Sequence, residues 1–139
     1  MRRRRRRRRP ALFATPLEQA AVGRAKICFM KAVINKINSI EELESVFAKS
    51  SEKPVALFKH SITCPISADV YHEIQNVDDE VNVVVVLTAR RLSNEIAART
   101  GVRHESPQAL VIKNGKAVYH ASHYDITAED VNSKLKIQN

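Results

Sequence analysis

Short apolar segments that suit strands alternate with segments of helical periodicity, and this alternation constrains the fold more than any other feature. The clearest strand is Val81 to Leu87, a nearly continuous β-branched run typical of a central strand that is covered on both faces. Asn114-Gly115 is the strongest short hairpin signal in the chain. Other apolar runs predict four further strands, at 33–37, 55–58, 108–112 and 117–120.

Four helices are predicted between and after these strands. Ser39 and Glu42 form a capping box at the start of the first, and Gly101 stands where a C-cap glycine ends the third. Thr127, with an aspartate three residues later, starts the last. The other bounds are 40–49, 65–74 and 92 or 93 to 100. The order βαβαβαββα predicts an α/β fold, a mixed central sheet with helices on both faces.

Cys64 falls where the second predicted strand gives way to the second helix. The first turn of a helix presents unpaired N–H groups and the positive end of its dipole, so a thiolate is favoured there over a thiol. Pro65 suits the first helical position, where a missing N–H group has no cost. The competing interpretation is that Cys64 is a small buried hydrophobic residue, as many intracellular cysteines are.

Ser67 follows Cys64 by three residues, and its hydroxyl is predicted to hydrogen-bond the sulfur. This C-x-x-S pattern has the spacing of a redox C-x-x-C motif in which the second sulfur is replaced. A dithiol can close on itself and release its product, whereas a single thiol needs an outside thiol. The pattern therefore predicts monothiol exchange.

The net charge of +8 is concentrated at one end of the chain, where Arg2 to Arg9 supply eight positive charges. From Met30 onward there are 13 Lys and Arg against 14 Asp and Glu, a net charge of −1. Residues 1–29 are therefore predicted to be a disordered Arg-rich extension, and residues 30–139 to be the folded domain. The few scattered aromatic residues argue against nucleic-acid binding by the domain itself.

Three interpretations of the extension compete. It is an arm for nucleic acid or a membrane surface, or a targeting segment, or it is absent from the mature protein because translation begins at Met30. We favour the third. Glu18, Arg24 and Lys26 interrupt any apolar core of a secretory signal.

Cys28 and Cys64 are too few for a secreted disulfide framework, which favours a reducing compartment and a cytoplasmic location. No apolar stretch has the length of a membrane span, and no Cys/His cluster has zinc-site spacing. We therefore predict no metal and no membrane contact, and we interpret Cys28 as a bystander.

Three separated segments resemble one known family: KHSITCPIS at 59–67, HESPQA at 104–109 and HASHYDIT at 120–127. With a cysteine at the start of the second helix and a proline before the hairpin, the chain resembles the thioredoxin fold. More narrowly, it resembles the monothiol bacilliredoxin family from about Met30 to Ile137.

The resemblance implies that Cys64 attacks the mixed disulfide between bacillithiol and a client protein, so that the client thiol leaves and a second thiol frees Cys64. Bacillithiol, or a related low-molecular-weight thiol, would be a co-substrate with no tightly bound cofactor, and S-thiolated proteins would be the partners. Pro107 would be the cis-proline of the fold, and the peptide at Ser106 would pair with the substrate backbone.

Nearby side chains have a functional and a structural interpretation. His60 either raises the thiolate fraction as an imidazolium or is a solvated residue at a strand end. Thr63 either bonds the sulfur or caps the helix, which is the commoner role. Lys59 either attracts an anionic thiol, since bacillithiol carries carboxylates, or is an exposed solubilising lysine. We assign catalysis to Cys64, Ser67 and Thr63, and substrate binding to a second set: Pro107, Ser106, His60 and Pro65.

Two further groups of polar residues are given structural rather than functional interpretations. His104 and Glu105 precede the predicted cis-proline and are expected to form a structural ion pair. His120, His123 and Tyr124 are explained by polar contacts within the connection from hairpin to helix. The leading hypothesis is a monothiol oxidoreductase, and the alternatives are a redox-inert thioredoxin-like module that binds peptides or an arginine-arm nucleic-acid binder.

Overall fold

The computed structural model describes residues 31–137, so the predicted extension at 1–29 and Cys28 lie outside the described residues. Its five strands form one sheet in the order β1-β3-β2-β4-β5. The helices are α1 (Ile40–Lys49), α2 (Pro65–Ile74), α3 (Arg90–Thr100) and α4 (Ala128–Leu135). The strands are β1 (Val33–Lys36), β2 (Val55–His60), β3 (Glu80–Val85), β4 (Gln108–Lys113) and β5 (Lys116–Ser122).

The predicted α/β class and the predicted order of elements are confirmed, because local signals start and stop the elements as expected. Ser39 and Glu42 form the complete capping box of α1, and the Thr127 side chain accepts the Asp130 N–H at the start of α4. Gly101 ends α3 with φ of 69°, in the left-handed region that glycine adopts without a Cβ penalty.

Several predicted boundaries shift, and one short element was missed. β3 ends at Val85 although the apolar run continues to Leu87, because the N–H groups of Thr88 and Ala89 both turn back to the Val85 carbonyl. β2 continues to His60 and β5 to Ser122, while α3 begins at Arg90 rather than residue 92 or 93. A single 3₁₀ turn, His123–Asp125, follows β5.

The helices cover both faces of the mixed sheet, as predicted. β1, β3 and β2 run parallel, whereas β4 and β5 are antiparallel additions at one side. Helices α2 and α4 pack on the face that includes Phe58 and Val81. Helices α1 and α3 pack on the opposite face with Leu57 and Val84. The two cores therefore lie on either side of β2, whose residues from Val55 to Lys59 are all buried.

One edge of the sheet brings together the ends of three strands. The carboxyl ends of β2 and β3 lie there, and because β4 is antiparallel to β2, its first residue, Gln108, lies opposite Lys59 at the same edge. The chain leaves β2 for a helix on one face and leaves β3 for a helix on the other. Such a switch point opens a crevice where ligands bind in open α/β sheets.

Candidate active site

Cys64 is the N-cap residue of α2, and Pro65 occupies the first helical position, as the sequence predicts. The cysteine is partly exposed, and among residues 31–137 it has no disulfide partner and its side chain forms no capping hydrogen bond. Its own carbonyl accepts the N–H of Ala68 at 3.2 Å, which begins the helical ladder. The sulfur therefore lies where the first-turn N–H groups and the helix dipole can stabilise negative charge.

Ser67 does not carry out the role that we predicted for it. Its side chain is fully buried, and its Oγ accepts the Ser61 N–H at 2.9 Å while lying 2.8 Å from His60 Nδ1. Among the described residues, no hydrogen bond joins Ser67 to the Cys64 sulfur. The reason is geometric, since a buried hydroxyl that bonds the chain six residues earlier is already committed. Ser67 instead anchors the loop that leads into Cys64.

His60 is held from two sides, which removes both of its predicted interpretations. Its ring lies 4.8 Å, centroid to centroid, from that of Tyr71, and its Nδ1 contacts the Ser67 hydroxyl. Burial lowers the pKa of His60, so the neutral imidazole is favoured at neutral pH. His60 is therefore neither a solvated strand end nor a source of positive charge for Cys64.

Thr63 is exposed and does not cap α2, so the capping prediction was wrong. The helix starts one residue later than a Thr63 cap would require, and Cys64 takes the cap position. Thr63 Oγ1 instead lies 3.4 Å from Ser61 Oγ, within the loop.

Replacing Ser67 with alanine should destabilise the fold, because its hydroxyl anchors the loop that leads into Cys64. The change leaves the part-buried Ser61 N–H and His60 ring without the hydroxyl that they share, which costs about 1–3 kcal/mol in the free energy of unfolding. Urea unfolding measures it, and Ser133→Ala, at an exposed serine, is the matched control. Equal stabilities for the two variants would contradict the anchoring role of Ser67.

The Ser106–Pro107 peptide bond is cis, as the family resemblance implied. The Pro107 carbonyl accepts the N–H of His123 at 3.0 Å, which ties the 3₁₀ turn to this bond. Ser106 Oγ is buried, and within the part of the chain that the structure describes it has no hydrogen-bond partner. The loop before β4 and the connection after β5 therefore form one surface at the edge of the sheet.

Tyr124 extends that surface to α2. Its hydroxyl donates to Asp69 Oδ2 at 3.2 Å, and this hydrogen bond raises the pKa of Tyr124. The expectation that the His120, His123 and Tyr124 group serves only its own connection was therefore incomplete. Tyr124 and Ile62 are both large exposed hydrophobic side chains, 65% and 59% exposed, and Ile62 lies two residues before Cys64. They add apolar area beside the thiol.

Lys59 is fully buried, which contradicts its interpretation as an exposed lysine. Its Nζ donates to the Ser93 carbonyl at 3.3 Å and lies 3.4 Å from His104 Nδ1. Burial lowers the pKa of Lys59 to about 8. The sequence held one signal for this position, because Lys59 continues the apolar run of β2 on the face that carries Val55 and Leu57.

His104 and Glu105 do not pair with each other. His104 Nδ1 lies 3.0 Å from Ser93 Oγ, whereas a hydrogen bond from Ser122 lowers the pKa of Glu105. Gln108 Nε2 donates to the Arg103 carbonyl at 2.9 Å. The loop before the cis-proline is therefore fastened to a buried polar group beneath it.

Within residues 31–137, no three His, Cys, Asp or Glu side chains converge as a metal site would require. The same part of the chain contains no helix that is both long and apolar enough to cross a membrane.

Comparison with known proteins adds a family match and several similar structures. The family model described as monothiol bacilliredoxin matches residues 35–131. A solved structure described as that of a candidate oxidoreductase with a thioredoxin fold is 37% identical, with a TM-score of 0.68, and the match covers 73% of this chain and 93% of that one.

Two plant thioredoxins share the fold at lower identity. One, from Nicotiana alata, is 14% identical with a TM-score of 0.59, and the match covers 74% of this chain and 90% of that one. The other, from Arabidopsis thaliana in the oxidized state, is 13% identical with a TM-score of 0.59. The match covers 76% of this chain and 99% of that one. These likenesses establish a thioredoxin-like fold.

Proposed function

Because this chain belongs to the monothiol bacilliredoxin family, we propose that it removes bacillithiol, or a related low-molecular-weight thiol, from protein mixed disulfides through Cys64. The observation that carries the proposal is the partly exposed, free Cys64 at the N-cap of α2, with Pro65 behind it. A redox-inert module would not need a thiol in this position.

The exchange has two balanced steps. The Cys64 thiolate attacks the small-thiol sulfur of the mixed disulfide, so that a new S–S bond forms on Cys64 and the client leaves as a thiolate. A second small thiol, as its thiolate, then attacks the adduct, which releases the symmetrical small-thiol disulfide and restores the Cys64 thiolate. The client sulfur is reduced to a thiol, and the one incoming small thiol is oxidised as it joins the small thiol already carried on Cys64 in the symmetrical disulfide.

The surroundings of Cys64 support the monothiol form of this cycle. Ser67 has no sulfur, and its hydroxyl is committed to Ser61 and His60, so it cannot resolve the adduct. In this proposal Ser67 and His60 hold the loop, and Thr63 and Pro65 border the sulfur. Ser106 and Pro107 offer backbone to an extended client segment. The client is an S-thiolated protein of the cytoplasm, and no tightly bound cofactor takes part.

The proposal is tested by incubating the full-length Cys28→Ser protein with a model protein that carries bacillithiol in a mixed disulfide. We expect the model protein to lose the mass of bacillithiol while Cys64 gains it, as read by intact-protein mass spectrometry. Adding free bacillithiol should then clear the adduct from Cys64. If the model protein keeps its modification, or loses it without an adduct on Cys64, the proposed function is wrong.

A further inference from the structure

A cleft of about 270 Å³ opens beside the carboxyl end of β3. Its lining residues differ from those that border Cys64. It lies between the end of that strand, the first turns of α3 and the loop before the cis-proline. It is lined by Val86, Arg90, Ser93, Asn94 and His104. None of these side chains has a role in the exchange chemistry described above.

Two cationic side chains lie at the cleft, Arg90 in its lining and Lys59 beneath it. Arg90 is exposed, and no salt bridge joins it to a carboxylate among the described residues. Beneath the cleft lies the buried Lys59, whose Nζ reaches the Ser93 carbonyl and His104. Burial lowers the pKa of His104, and the charges of Lys59 and Arg90 lower it further. Glu105, which accepts a hydrogen bond from Ser122 on β5, acts on the pKa of His104 in the opposite direction.

His104 supplies a neutral donor to the same space. Its Nδ1 lies within hydrogen-bonding distance of both Lys59 Nζ and Ser93 Oγ. An ammonium can only donate, so Nδ1 is the acceptor and the ring proton resides on Nε2. The Nε2–H group is then the one that His104 can offer to a ligand in the cleft. The Arg90 guanidinium and the His104 Nε2–H are hydrogen-bond donors of the kind that bind a carboxylate.

The cleft lies at the same edge of the sheet as Cys64. The Val86 N–H donates to the His60 carbonyl at 2.9 Å, which joins the end of β3 to the start of the loop that carries the thiol. That loop and the cleft lie on the two sides of the switch point between β2 and β3. We propose that this cleft binds a carboxylate of the small thiol while its sulfur exchanges at Cys64, an inference that rests on the proposed function.

Arg90→Gln tests the proposal, with Arg91→Gln as the matched control on the next residue of the same helix. Both changes are made in the full-length Cys28→Ser protein, so that the arginine-rich segment is common to all samples. Stopped-flow measurements give the rate constants for reaction of Cys64 with bacillithiol disulfide, which is anionic, and with 2-hydroxyethyl disulfide, which is neutral. The quantity compared is the ratio of the anionic to the neutral rate constant.

We expect Arg90→Gln to lower this ratio about tenfold, the value of one charge-assisted hydrogen bond, and Arg91→Gln to change it less than about twofold. Arg90→Lys should restore part of it. An unchanged ratio in Arg90→Gln, or an equal loss in Arg91→Gln, overturns the proposal. A carboxylate that came from the client rather than the small thiol would also leave the ratio unchanged.

A second measurement separates failure of the cleft from failure of the proposed function. Succinate, which has carboxylates and no sulfur, is titrated into the reduced protein while backbone amide signals are followed by NMR. We expect saturable shifts at Val86 and Asn94 that are lost in Arg90→Gln. If Cys64 reacts with neither disulfide, the proposed function fails, and the succinate titration still reports on the cleft. Shifts that persist in Arg90→Gln, or no shifts at all, exclude a carboxylate site there.

Discussion

Replacing Cys64 with serine should reduce disulfide exchange to the uncatalysed background. A hydroxyl is a far weaker nucleophile than a thiolate, and among the described residues the ring of His60 is already bonded to Ser67. The variant should form no adduct with bacillithiol disulfide and should leave a thiolated model protein unchanged. The measurement is the mass of the protein and of the model protein after reaction, in the Cys28→Ser background.

Loss of activity in this variant is informative because the fold should survive. Cys64 is only partly buried and its side chain makes no capping hydrogen bond, so serine should change the free energy of unfolding by less than about 0.5 kcal/mol. Serine is also a favoured N-cap residue, which favours α2. A Cys64→Ser protein that still clears bacillithiol would show that another group carries the reaction.

Two measurements distinguish the two leading hypotheses, one on this variant and one on the Cys28→Ser protein that keeps Cys64. A module that binds extended peptides at the Ser106–Pro107 surface would keep its affinity when Cys64 becomes serine, and its wild-type thiol would react no faster in the native protein than after unfolding. An exchange enzyme shows the opposite pattern, with a native thiol that alkylates faster than the unfolded one. Iodoacetamide labelling in buffer and in urea separates these outcomes.

The fold was predictable because local and global signals in this chain agree. The Ser39–Glu42 capping box, the Asn114-Gly115 hairpin and the Gly101 helix end each specify a boundary without help from distant residues. The β3 run was also predictable, but its end was not. Whether Val86 and Leu87 remain in the strand depends on the turn that closes on the Val85 carbonyl, and hydrophobicity does not report that.

The site was predictable in its position and less so in its contacts. Cys64 and Pro65 take their places from the start of a helix, which is a local property. The partners of Ser67 and Lys59 are set by packing between elements. The C-x-x-S spacing predicted that the Ser67 hydroxyl would hydrogen-bond the Cys64 sulfur. The buried hydroxyl instead contacts His60. As a lysine, Lys59 was expected to be exposed to solvent. It is buried because both faces of β2 are covered.

Replacing Lys59 with methionine should give a stability difference that depends strongly on pH. The pKa of Lys59 is about 8 in the folded protein because the ammonium is buried, against 10.5 for an unperturbed lysine. Between these values the unfolded chain holds a proton that the folded protein has released, so stability that is due to this residue rises with pH. Below pH 8 the whole cost of burying the charge is present.

Methionine has a similar length and does not titrate, so the variant lacks that cost at every pH. It also leaves the Ser93 carbonyl and His104 without their Lys59 donor, a loss that is nearly independent of pH. The stability of Lys59→Met relative to wild type should therefore fall by about 2–3 kcal/mol between pH 7 and pH 10.5.

Urea unfolding of both proteins across that range gives the difference directly, and titrating groups that do not interact with Lys59 cancel. Lys36→Met, at an exposed lysine in β1, should give a difference that stays flat. If the Lys59→Met difference is equally flat, the ammonium is hydrated in solution and His104 is not held by a buried charge. If the stability of Lys59→Met relative to wild type falls with pH as expected, the loop before the cis-proline is fastened by an ammonium that the fold holds at a cost. That is the arrangement expected where positioning the loop matters more than stability.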